Sequence, residues 1–186
     1  MSNCRIGGSD AAKTNARTIT SMTLNRIPDD VARHAGLVMT QAASIASNLE
    51  VGELICPFAV IAKGENRQSI EFEAAAQDEA ISKAWDSFET LKDKVDIWSF
   101  AREGLQRGPD GKVDVLVVVA WAHGMKEPAV FTQQFSPKSK GDFYLVGPIA
   151  IQDQPLSELD RIAVGLSEGI QAHPKGPLWA SWHARR

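Results

Sequence analysis

The stretch Lys112–Gly124, KVDVLVVVAWAHG, decides the fold. After Asp114, the residues from Val115 to Ala120 are apolar without a break and mostly β-branched. That pattern favours a strand covered on both faces over the alternation of a half-wet surface strand. Trp121, Ala122 and His123 close the run, and Gly124 turns the chain away.

Immediately upstream, Gly108-Pro109-Asp110-Gly111 is a strong turn signal. The segment before it, Asp96–Leu105 (DIWSFAREGL), admits two readings. Val95, Trp98 and Arg102 have helical spacing, whereas Trp98 and Phe100 alternate with Ser99 and Ala101 as in a strand. A helix continuing from the preceding amphipathic segment would be far longer than small domains use, so the strand is the expectation. A hairpin closing symmetrically over Pro109-Asp110 pairs Trp98 with Trp121, Phe100 with Val119, Arg102 with Val117 and Asp96 with His123. Its other face pairs Ile97 with Ala122, Ser99 with Ala120 and Ala101 with Val118. The first face is bulky and suits helices; the second is shallow and open to a second sheet or subunit. A slip of one residue would dissolve every one of these pairs.

Outward from this centre the chain supplies a full α+β domain. Residues 1–24 are small, polar and aperiodic, which reads as a disordered leader. Pro28 with Asp29 and Asp30 signals a helix start, and Val31, Ala35, Val38, Ala42, Ile45 and Leu49 form one apolar stripe. Leu54–Lys63 and Arg67–Glu73 read as a hairpin about Gly64-Glu65-Asn66, with Pro57 confining the first strand to an edge or to a start after it. Ile81, Trp85, Phe88 and Val95 mark a second helix with an acidic outer face. Pro128–Phe135 and Asp142–Ile151 alternate as two further strands, the latter interrupted at Gly147-Pro148. The last helix opens at Pro155-Leu156-Ser157 with a capping-box pattern of Ser157 and Asp160. Its stripe is Leu156, Leu159, Ala163, Leu166 and Ile170. Gly165 and Gly169 weaken it by about 1 kcal/mol each relative to alanine, so it must depend on packing.

The expected architecture is a two-layer α+β sandwich over residues 25–171, with a mainly antiparallel sheet, helices on one face, and a tail over 172–186. The order of elements resembles profilin-like and roadblock-like modules in outline. That resemblance lies in topology, carried by no residue motif, and implies a fold without assigning a function.

Composition narrows the function. With 186 residues and a formal net charge of −3, the chain can bury its own core and has no long-range pull on phosphate backbones. The longest apolar run, Val115–Ala122, is too short to cross a bilayer, and with no apolar core near Arg5, Lys13 and Arg17 a secretory signal is not expected. Cys4 and Cys56 form neither a CxxC nor a Cys/His cluster, so a reducing cytoplasm is expected and no zinc. Walker and dinucleotide glycine spacings are absent, and no cofactor is expected. Lys138 and Lys140 form a basic loop without the aromatics a nucleic-acid surface needs.

Three readings of function follow. The first is a non-enzymatic protein-interaction module, homodimeric or with another partner. It acts through its sheet face or through the tail, where Trp179 and Trp182 share one side of a helical turn beside arginines. The second is a small hydrolase with His123 as base and Asp96 orienting it, since a carboxylate beside an imidazole tunes it for proton transfer. The third is a small-ligand sensor whose cavity is lined by Trp98, Phe100, Arg102 and Trp121.

Overall fold

The computed structural model describes residues 26–108 and 111–184. The leader and the turn residues Pro109 and Asp110 lie outside them. The central hairpin is present in the expected register: β3 (Ile97–Gly108) and β4 (Gly111–Ala122) pair Trp98 with Trp121, Phe100 with Val119, Arg102 with Val117 and Ile97 with Ala122. Strand β1 (Phe58–Lys63), starting directly after Pro57, pairs with both β3 and β2 (Asn66–Glu71). Strands β5 (Ala129–Ser136) and β6 (Tyr144–Ile151) complete a six-stranded antiparallel sheet in the order β2-β1-β3-β4-β5-β6. Among the described residues four helices pack against it: α1 (Asp29–Ala46), α2 (Gln77–Leu91), α3 (Leu156–Ala172) and α4 (Leu178–Ala184). The class is α+β.

The distribution of those helices differs from the single covered face expected of a two-layer sandwich. Helix α2 lies on the bulky face, where Ala80, Ala84 and Phe88 join Trp98, Phe100, Val117, Val119 and Trp121 in one core. Helices α1, α3 and α4 share the shallow face, in a second core with Ala101, Leu116, Val118, Ala120 and Phe131. Sheet residues point alternately to the two sides, so an apolar run such as Val115–Ala120 requires cover on both. The shallow face is therefore filled within the chain instead of being left for a second copy. Its small side chains let α1 approach closely.

Close approach also explains how the last helix packs. Ile162, Gly165, Leu166 and Gly169 form its buried face, while Leu156 is 86% exposed and Ala163 is also outside. The expected stripe is thus rotated toward the glycines. A Cβ at Gly36 would fall on the carbonyl of Leu166, and one at Gly169 on the carbonyl of Arg33. The two helices touch main chain to main chain, a contact that larger residues forbid. The expected Ser157–Asp160 box does not form: Pro155 occupies the cap position without a side-chain cap bond, and Ser157 already lies inside the helix. Arg161 does the anchoring instead, reaching Glu158 Oε2 at 2.7 Å, the carbonyl of Ile27 at 2.8 Å, and the carboxylate of Asp29.

Candidate functional site

The bulky-face residues form packing contacts. Trp98 is 1% exposed and stacks on Phe88 with ring centroids 4.1 Å apart and planes 3° from parallel. Trp121 lies 6.2 Å from Trp98, and its indole N–H donates to the carbonyl of Met125 at 3.0 Å. Arg102 donates to the carbonyl of its neighbour Glu103 at 3.0 Å. Phe88 and Trp85 occupy the space over Trp98 and Phe100 that the sensor reading assigns to a cavity.

Asp96 and His123 are joined through the backbone, where the His123 amide donates to the Asp96 carbonyl at 2.9 Å. The Asp96 carboxylate accepts instead from the Gly64 amide at 2.7 Å. His123 is exposed, and its ring lies 6.3 Å from that of Trp121. Asp96 sits one residue before the strand starts, so strand alternation no longer governs its direction.

In the tail, Trp182 is buried against Phe143, with centroids 6.0 Å apart, as part of the shallow-face core. Trp179 is half-buried beside it. Each ring nitrogen of His183 lies 3.1 Å from a carbonyl oxygen, that of Trp179 or of Gly147. Helix α4 is thereby held on β6.

A cleft of about 450 Å³ opens between β6, α3 and α4. Ile149 and Ile151, Leu166 and Ile170, and Trp179 give it apolar walls, and Gln133 of β5 forms part of its floor. The register of β5 and β6 explains how Gln133 comes to be there. Thr132 pairs with Ala150 but Gln134 with Val146, so the extra residues of β6 bulge out around Gly147 (φ 65°) and Pro148. The carbonyls freed by the bulge need a donor. The Gln133 amide nitrogen supplies it, reaching the carbonyls of Gln134, Val146 and Gly147 at 2.9, 3.0 and 3.2 Å. Its amide oxygen is buried and has no partner among the described residues. A buried acceptor left unpaired costs about 1–3 kcal/mol.

A second, charged cavity of about 280 Å³ lies where α1 meets the ends of β1, β2 and β3. His34 of α1, 6% exposed, hydrogen-bonds through Nδ1 to Oγ of Ser99, which is fully buried on the shallow face, at 2.7 Å. Burial first, and then the Arg67 guanidinium, lower the His34 pKa to about 4, so its ring is neutral at pH 7. Its Nε2 is buried and has no partner among the described residues.

Gln133, His34 and Ser99 are the polar groups sequence reasoning passed over. The one available signal was that each interrupts an otherwise apolar inward row; the partners that make them informative come from distant segments. Among the described residues no cluster of three or more His, Cys, Asp or Glu side chains is placed to hold a metal, and no helix is long and apolar enough to cross a membrane. Comparison with known protein families, curated proteins and solved structures finds no match in any of the three.

Proposed function

We propose that this chain is a non-enzymatic module that binds a small, mainly apolar molecule in the cleft between β6, α3 and α4. The observation that carries the reading is the Gln133 amide oxygen, buried and unpartnered in a residue that lines an apolar cleft. A volume near 450 Å³ suits a compact organic ligand. Ser167, Gln171 and His183 also line the cleft, but the buried, unpartnered acceptor there is the Gln133 oxygen, which suits a ligand with an apolar body and an N–H or O–H to donate. The ligand reading is favoured over docking of a protein because the tail is already engaged: Trp182 is buried, and Trp179 forms a wall of the cleft.

Indole and N-methylindole test this directly, since they differ in the N–H that Gln133 would accept. Titrations followed by amide chemical shifts should show indole binding at Ile149, Ile170 and Trp179, about tenfold tighter than its methylated analogue. The preference should disappear in Gln133→Met. Equal binding of the two probes, or indole shifts that map elsewhere, would remove the basis for the proposal.

A further inference from the structure

Independently of that cleft, we infer that the cavity beside His34 is a binding site for a small zwitterion, with a carboxylate and an amine in one molecule. Arg67 and His34 would receive the carboxylate, and Asp96 and Asp30 the ammonium.

The tautomer of His34 sets the first requirement. If Ser99 Oγ–H donates to Nδ1, the only group left unmatched is the Nε2–H. If instead Nδ1–H donates to Ser99, the serine hydroxyl proton and the Nε2 lone pair are both stranded in the interior. The first arrangement leaves fewer unsatisfied groups, so Nε2 carries a proton and needs an acceptor. Among the described residues nothing provides one, since Nε2 has no partner there.

Charge sets the second requirement. Asp30, Arg33, Arg67 and Asp96 all line the cavity. Arg33 is already neutralised by Glu168 of α3, through Nε at 2.9 Å and Nη2 at 2.8 Å. Arg67 is exposed and makes no ion pair among the described residues. Among the described residues one available cation therefore faces two carboxylates. Each carboxylate has one oxygen on a backbone amide, Asp96 Oδ2 on Gly64 at 2.7 Å and Asp30 Oδ1 on Val31 at 2.8 Å, which leaves its other oxygen open. A simple anion would meet Arg67 and the imidazole but add a third negative charge. A simple cation would leave the Nε2–H without an acceptor. A neutral molecule with separated charges satisfies both ends, and about 280 Å³ confines it to a few carbons between them.

The test uses the full chain, labelled for NMR, titrated separately with β-alanine, γ-aminobutyrate, propionate, propylamine and inorganic phosphate. At least one of the two zwitterions should shift the His34 ring nitrogens and the Gly64 amide saturably. Arg67→Gln should weaken that binding at least about tenfold, and the exposed position of Arg67 leaves the fold intact. Asp96→Asn keeps an oxygen for the Gly64 amide; it should weaken the zwitterion and spare propionate. The inference is overturned if neither zwitterion shifts His34, if Arg67→Gln binds as tightly as the parent, or if propionate or phosphate binds as tightly as the zwitterions.

Discussion

Replacing Gly169 with alanine sets two effects of opposite sign against each other. By helix propensity alone the change stabilises by about 1 kcal/mol. In the folded chain the new methyl would collide with the carbonyl of Arg33, and with the Leu37 amide nitrogen 2.8 Å away. Both are main-chain atoms of α1 and cannot rotate aside as a side chain would. Overpacking costs about 1–3 kcal/mol, and a rigid neighbour puts this case at the upper end. The net expectation is a loss of about 2 kcal/mol, or roughly 4–8 °C in Tm for a chain of this size. Gly36→Ala meets the carbonyl of Leu166 at the same crossing and should behave alike. Once one methyl has pushed the helices apart, the second finds space, so the double variant should lose clearly less than the sum of the two. Urea unfolding of the parent, both single variants and the double variant measures all four stabilities. A Gly169→Ala protein as stable as the parent, or strict additivity, would refute the close crossing.

Other outcomes follow from the same contacts. His34 has a folded-state pKa of about 4 against an ordinary 6.5, so the unfolded chain binds the extra proton first as pH falls. Stability should be complete above pH 6.5 and decline toward pH 4 by an amount on the order of 3 kcal/mol, a slope that His34→Gln should flatten. Phe88→Ala removes the ring stacked on Trp98 and should cost about 3–5 kcal/mol in urea unfolding; a cost below about 1 kcal/mol would show that α2 is not seated there. Trp182→Ala should cost a similar amount by removing the edge contact with Phe143, and should also weaken indole binding by loosening the α4 wall. Unchanged stability in that variant would mean that α4 does not dock.

Much of the architecture was written along the chain because its signals are local. The valine run, the Gly-Pro-Asp-Gly turn and the Trp98/Phe100 alternation are each complete within a dozen neighbours, and together they set the β3–β4 register residue for residue. Pro57 marked where β1 starts for a similarly local reason, the missing amide proton. Helical periodicity located all three longer helices along the chain, although the face it assigned to α3 is rotated toward Gly165 and Gly169.

Tertiary structure alone decided which face each helix took, and with it the chemistry. Periodicity states that a helix has an apolar side but not which neighbour it meets. The bulky and shallow faces were both legible, while their occupants were not. Gly165 and Gly169 read as weak points until α1 is seen lying against them. Gln133 became a candidate ligand acceptor only once the β6 bulge claimed its nitrogen, and His34 only once folding brought Ser99 to it across 65 positions of sequence. A polar side chain is satisfied or stranded by groups that only the folded chain brings near. That is why the apolar pattern could be read from the sequence and the candidate sites could not.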